Sequence, residues 1–125
     1  GRLIKKRHQV KTTLYGITNC DTVKRARTWL NTMGIVYQLH DYNKLGCSTD
    51  QARQFLDHFG IEAVLNRRGT TWRKLSHDQK SDLTEKAAIL LMSEHPSLIK
   101  RPILQRESEW LIGFDEPTWQ ESFES

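Results

Sequence analysis

Cys20 is the residue of this 125-residue chain with the most chemistry to offer. It stands where a short strand-like run, Thr12-Thr13-Leu14-Tyr15-Gly16, gives way to a helical pattern beginning near Asp21. A helix N-terminus presents unpaired backbone N–H groups that favour negative charge. A thiol held there ionises more readily, and the thiolate is the form that attacks. Lys24, one turn on, adds a cation near the same face, while Asp21 opposes it. The competing reading of placement alone is a small buried residue that falls at a turn, since free cysteines are often buried. Other chemistries fail on spacing. A phosphatase loop needs Cys-x5-Arg, but Ala26 stands at the arginine position and Arg25 is one residue short. His8, His40, His58, His77 and His95 form no zinc pattern with the two cysteines, so no metal ligands are assigned. No Gly-rich phosphate loop or dinucleotide fingerprint occurs.

The elements that must position Cys20 are legible on both sides of it. Val23, Ala26, Leu30 and Met33 recur as one helical face, and Gly34 is a natural stop. Ile35-Val36-Tyr37-Gln38-Leu39-His40 alternates and reads as a second strand, parallel to the first. The middle reads as helical. Ser48 with Gln51 forms a capping box before Ala52, Phe55, Leu56 and Phe59; Ser76 with Gln79 repeats it. Leu83, Ala87, Leu90 and Leu91 mark a further helix that must end at His95, because Pro96 follows. The basic segment Asn66–Lys74, with Gly69 at its centre, is expected to be a loop. Ile103-Leu104-Gln105 and Trp110-Leu111-Ile112 suggest an antiparallel hairpin. Pro117 opens a last helix carrying Trp119 and Phe123. The sum is βαβ, a helical insertion over about residues 47–96, then ββα.

Composition bounds the answer without choosing a partner. The length suits one domain, here residues 12–125, after a basic arm over residues 1–11 that is expected to be flexible. No apolar run approaches the roughly 20 residues of a membrane span. Two distant cysteines make no disulfide framework, which points to a reducing, cytoplasmic setting. Much of the net charge of +4 lies in the basic arm. Nucleic acid is therefore not the expected partner, and small anions suit the scattered arginines as well.

Three blocks in the right order carry a resemblance: residues 15–24 around Cys20, residues 66–75, and His95-Pro96-Ser97-Leu98-Ile99-Lys100-Arg101-Pro102, closed by Gly113-Phe114-Asp115. Together they resemble the ArsC/Spx family of the thioredoxin superfamily, in its YffB-like branch of ArsC-like reductases. The resemblance implies a thioredoxin-like, mixed four-stranded sheet, α/β in class, with a helical insertion between its halves. It makes Cys20 the nucleophile, toward a disulfide or an arsenate-like oxyanion, and Arg101 the group that holds the substrate's negative charge. Pro102, cis in this family, would shape the backbone along which a thiol substrate lies. Thr18, Asn19 and Lys24 would contact substrate or glutathione, and Arg67 and Arg68 are the candidate anion-binding residues of the insertion.

The chain also departs from its relatives. Arsenate reductases of the family carry His-Asn-Pro before the cysteine, where this chain has Gly16, Ile17 and Thr18. Of two further arginine positions, one falls at Asn66, with Arg67 or Arg68 able to substitute by a shift of one or two residues, and the other at or near Gly113, so arsenate is a weakly supported substrate. Spx-type members have Cys-x-x-Cys, and here the second position is Val23. Cys47, the other thiol, precedes a capped helix in the crossover to the insertion and is not expected to approach Cys20. A monothiol mechanism follows: no bound cofactor, with glutathione as the external thiol that resolves a mixed disulfide. The alternative from the same resemblance is an Spx-like regulatory or protein-binding module that contacts a partner such as RNA polymerase and catalyses nothing.

Overall fold

Four leucines make the sheet's inner row. In a computed structural model of the chain, which describes residues 11–81 and 83–124, Leu39, Leu14, Leu104 and Leu111 stand abreast on four neighbouring strands. Of the basic arm only Lys11 is among the described residues. The strands are β1 (Thr12–Gly16), β2 (Gln38–Asp41), β3 (Ile103–Arg106) and β4 (Glu109–Ile112), in the order β2-β1-β3-β4. β1 runs parallel to β2 and antiparallel to β3, and β3 antiparallel to β4. Helix α1 (Asp21–Thr32) joins β1 to β2, and the last helix follows β4 over Glu116–Glu124. The mixed α/β sheet expected from the sequence is the sheet observed.

The described residues divide into two compact units: residues 11–41 with 101–124, and residues within 42–100. In the first, the leucine row packs against Val23, Ala26, Trp29 and Leu30 of α1 and Trp119 of the last helix. Trp29 meets Trp119 nearly edge-on at 6.0 Å, and Phe114 meets Trp119 likewise at 4.9 Å, both favoured aromatic geometries. The one polar atom of the buried Trp119 ring is satisfied, because Nε1–H donates to the Gly113 carbonyl at 3.1 Å.

The second unit holds α2 (Tyr42–Leu45), α3 (Thr49–Phe59), α4 (Ile61–Val64), α5 (Thr70–Lys74), α6 (His77–Lys80), α7 (Glu85–Glu94) and a 3-10 turn over Pro96–Leu98; the last helix is then α8 (Glu116–Glu124). Both capping boxes form: the Ser48 and Ser76 hydroxyls accept the N–H of Gln51 and Gln79, whose side chains return the bond. Helix α3 packs on α7, and the Ser93 hydroxyl of α7 donates to the Cys47 carbonyl at 2.7 Å. The unit's ends are tied by the Leu65–Ile99 bridge, flanked by Asn66 N–H to Leu98 C=O and Lys100 N–H to Val64 C=O, both 2.7 Å.

Four expectations about local structure need correction. The second strand starts at Gln38, not Ile35. Gly34 adopts φ 71° and Ile35 donates back to the Leu30 carbonyl, so Ile35 belongs to the helix-ending motif of α1. Val36 beyond it is 88% exposed. The basic segment expected as a loop contains α5, a short helix. The Ser76 box opens only the single turn α6, because Thr84 supplies a second N-cap, accepting from Ala87 N–H, that starts α7 afresh. Of the apolar face expected for α7, Leu91 is buried but Leu90 is half-exposed.

Trp119 is the largest fully buried side chain and joins both helices to the sheet. Trp119→Ala is expected to lower the unfolding free energy by about 3–5 kcal/mol, as large-to-small core changes do. Urea denaturation followed by far-UV circular dichroism measures it, and a loss under 1 kcal/mol would contradict this account of the core.

Candidate functional site

Gly16 lets the site form. A Cβ built on it would lie 2.8 Å from a methyl carbon of Val23, a contact too close for carbon atoms. Bare backbone at the end of β1 therefore allows the first turn of α1 to pack directly over the strand. Ile17, Thr18 and Asn19 make the turn between them, and Cys20 becomes the N-cap residue of α1 with extended backbone, φ −119° and ψ 125°. Its carbonyl accepts the Lys24 N–H at 2.9 Å, the first bond of the helix.

Sulfur is a weak acceptor, and the thiol closes no cap hydrogen bond of ordinary geometry. Opposing influences compete over its ionisation. Partial burial pushes the pKa up; the Val23 N–H, the Arg101 guanidinium and the Thr22 N–H pull it down, and the charge of Arg101 adds to that pull. The lowering groups win, so the Cys20 thiol lies below its ordinary value. All of them stabilise the anion: the two N–H groups as oriented dipoles at a helix start, the guanidinium as donor and charge together.

Arg101 reaches this position through the opposite end of the fold unit. The Arg101–Pro102 peptide bond is cis, and Pro102 is fully buried. The Pro102 carbonyl accepts the Gly113 N–H at 2.8 Å, which fixes the entry to β3 against the exit from β4. Since β1 and β3 are antiparallel with Tyr15 opposite Ile103, the end of β1 and the start of β3 fall at the same edge of the sheet. Cys20, four residues past the one, meets Arg101, two residues before the other.

Among the remaining candidates, Thr18 and Asn19 are exposed on the turn before Cys20. Lys24 is exposed on α1 and lines a cleft with Arg25, Thr28, Trp29, Phe114, Asp115 and Glu116. The cation that acts on the thiol is Arg101. Arg67 and Arg68 belong to the other compact unit. There Arg67 is engaged by both carboxylate oxygens of Glu62 at 3.3 Å, with its guanidinium 5.4 Å from the Trp72 ring, and the Arg68 N–H donates to Asn66 Oδ1. Cys47 is buried, and burial raises its thiol to about 11. Gly16 was missed as a site residue, although a glycine inside a strand pattern is a recognised sign of close backbone approach. Among the described residues no cluster of three His, Cys, Asp or Glu could hold a metal ion, and no helix is long and apolar enough to cross a membrane.

Comparison with known proteins bears on the family and the fold. The ArsC family profile matches residues 15–122. The structure of a YffB protein superposes with a TM-score of 0.86 at 44% identity, covering 89% of this chain and 97% of that one. An arsenate reductase (ArsC) related protein from Brucella melitensis superposes with a TM-score of 0.71 at 42% identity, over 92% of this chain and 96% of the other. The global transcriptional regulator Spx of Streptococcus mutans is 32% identical over 106 residues, 83% of this chain and 77% of its own length.

The contrast between the two thiols gives a pH-dependent expectation. Alkylation by iodoacetamide follows the thiolate fraction, so its rate climbs with pH and levels off above the pKa. Cys20 should reach half its limiting rate at a lower pH than a cysteine in an unstructured peptide. Removing a stabiliser of the anion raises the pKa, so Arg101→Ala should move that midpoint upward. Cys47, with roughly one part in ten thousand as thiolate at pH 7, should stay unlabelled in the native protein. Coincident midpoints for Cys20 and a free peptide thiol would sink the account. Gly16→Ala, which forces Val23 away, should cost about 1–3 kcal/mol by overpacking and also raise the Cys20 midpoint; an unchanged midpoint would show that Val23 had not been displaced from the thiol.

Proposed function

The chain belongs to the ArsC family, and from that premise we propose that it is a glutathione-dependent monothiol reductase in which Cys20 is the nucleophile. The observation that carries this reading is the convergence of two helix-start N–H groups and the Arg101 guanidinium on a single, partly exposed thiol. The Cys20 thiolate attacks a disulfide RSSR; a Cys20–S–S–R bond forms and RS⁻ leaves, taking the electron pair of the broken bond. A glutathione thiolate then attacks the sulfur of R, forming the glutathione–R disulfide and returning Cys20 as a thiolate. The two steps sum to RSSR + GS⁻ giving RS⁻ + GSSR. A second glutathione thiolate attacking GSSR releases the other RS⁻ and leaves oxidised glutathione, so two glutathione thiols supply the two electrons and no second protein cysteine takes part.

The residues around Cys20 have separate roles in that cycle. Arg101 holds the leaving or attacking anion beside the sulfur, since a guanidinium stays charged and offers several donors. Thr18 and Asn19, on the turn before Cys20, are placed to donate to substrate from the solvent side. Pro102, buried and pinned through Gly113, gives the substrate a rigid backbone edge. An oxyanion such as arsenate could meet the same thiolate and arginine, but with Gly16, Ile17, Thr18 and Asn66 in place of the family's arsenate set a disulfide is the better-supported substrate. The 32% identity to a global transcriptional regulator favours one rival: a regulatory module that binds a protein partner and turns over nothing.

Incubation with oxidised glutathione separates the two. Under native conditions the intact protein should gain the mass of one glutathionyl group, located at Cys20 by peptide mapping and absent in Cys20→Ser. Arg101→Ala should slow its formation by roughly tenfold, as the loss of a charged hydrogen bond near the reacting atoms does. Absence of any adduct at Cys20 would leave the binding module as the reading.

A further inference from the structure

The Trp119 ring is held in one orientation by the start of its own helix and by its neighbours. Asp115 caps α8: one carboxylate oxygen accepts the Thr118 N–H at 3.1 Å, and its carbonyl accepts the Trp119 N–H at 3.0 Å. The helix start thus fixes where the indole enters the core. Around it Trp29 and Phe114 stand nearly edge-on at 6.0 and 4.9 Å, and only 1% of Trp119 is exposed. From this enclosed ring Nε1–H donates to the Gly113 carbonyl at 3.1 Å. Leaving a buried donor unpaired costs roughly 1–3 kcal/mol, so the indole holds that carbonyl wherever the ring itself is held.

Gly113 is the joint between that ring and the entry to β3. It sits at φ 71°, in the left-handed region, and a glycine has more backbone freedom to lose than any other residue. Its own dihedral preferences do not hold it there. Two hydrogen bonds do: the one from Trp119 to its carbonyl, and its own N–H, which donates to the Pro102 carbonyl at 2.8 Å. The second bond carries the β3–β4 pairing one step past its last pair, Ile103 with Ile112. Pro102 is fully buried and has no N–H, so its carbonyl is the one backbone group by which that residue can be gripped. Arg101 is the next residue back, and its side chain donates to the Cys20 sulfur.

We propose that Trp119 is a positioning residue for the thiol: its indole holds Gly113, Gly113 holds Pro102, and this clamp keeps the Arg101 guanidinium against Cys20. Trp119 acts through Arg101 and takes no part in bond making. The inference rests on the reading of Cys20 as the nucleophile given above, and it makes that reading depend on a residue of the last helix. A guanidinium on a long side chain needs a fixed backbone origin, because a working group must stay within about 0.5 Å of its productive place. A role in the core alone would cost stability when Trp119 is altered. The clamp predicts a further loss, that of the arginine's hold on the sulfur.

Hydrogen exchange and thiol labelling separate the clamp from the loss of core volume. In the unaltered full chain the Trp119 indole proton should exchange with deuterated solvent as slowly as the core amides; exchange at the rate of a free indole overturns the clamp. Trp119→Phe keeps an aromatic ring and removes the N–H. It should raise the pH at which iodoacetamide labels Cys20 at half its limiting rate, and slow labelling near about pH 6 by about threefold, within the reach of one hydrogen bond. Phe123→Leu trims the same helix against the same core, and should lower stability to urea with that midpoint unmoved. In an Arg101→Ala background Trp119→Phe should move the midpoint no further, the coupling expected of two residues acting in series. An unshifted midpoint in Trp119→Phe, an equal shift with and without Arg101, or an equal shift in Phe123→Leu overturns the clamp. Oxidised glutathione keeps the two readings apart. An adduct at Cys20 with an unshifted Trp119→Phe midpoint removes the clamp and leaves the monothiol reading; a shifted midpoint with no adduct in the unaltered chain keeps the clamp and removes the monothiol reading.

Discussion

The row Leu39–Leu14–Leu104–Leu111 is the constraint from which the site follows. Each of these residues must face the aromatic layer of α1 and α8, and side chains alternate with period two along a strand. A slip of one residue in any pairing would turn a whole strand's leucine outward, so burial fixes the register of all four strands together. Once Leu14 must stand beside Leu104, the end of β1 and the start of β3 meet, and Cys20 and Arg101 become neighbours across eighty residues of sequence. The entropy of closing so long a loop grows only slowly with its length. Hydrophobic registration within the sheet can therefore hold a site assembled from distant segments, while the intervening residues form a unit with its own core.

At the thiol the balance is between desolvation and stabilisation of charge. Burying a cysteine favours the neutral form, as Cys47 demonstrates with a thiol raised to about 11. Cys20 is also partly buried, but it stands where helix geometry and an arginine favour the anion. The two cysteines of one small chain thus occupy opposite regimes for identifiable reasons: apolar burial without a stabilising donor in one case, two backbone dipoles and a guanidinium in the other. The approach of Val23, and with it the helix start, to the strand is open only because Gly16 has no side chain.

How far the sequence could be read differs from residue to residue. The capping boxes at Ser48 and Ser76, the stop before Pro96 and the hairpin near Glu107 were legible because each rests on a local rule. The Cys20 turn and the Arg101-Pro102 pair stood out through the order of three family blocks. Elsewhere local rules competed. Ile35 fits a strand by composition, but its N–H and side chain were claimed by the end of α1. The apolar pattern through Leu83 ignored Thr84, a second cap that restarts the helix. Gly16 and the bond from Trp119 to Gly113 were invisible for a different reason: each depends on an interatomic distance between segments, which no periodicity encodes.

Glu107 occupies the left-handed region at φ 55° in the turn between β3 and β4, a conformation that costs an L-residue other than glycine or asparagine about 1 kcal/mol. It lies at the far end of β3 from Arg101, beyond the strand that carries the active arginine's position into the sheet. Among the described residues, the one non-glycine residue with left-handed backbone therefore lies at the end of β3 away from the arginine. For anyone adapting this scaffold, that is an opening: the turn can be relaxed with asparagine or glycine to harden the framework against heat, without touching a residue that shapes the thiol.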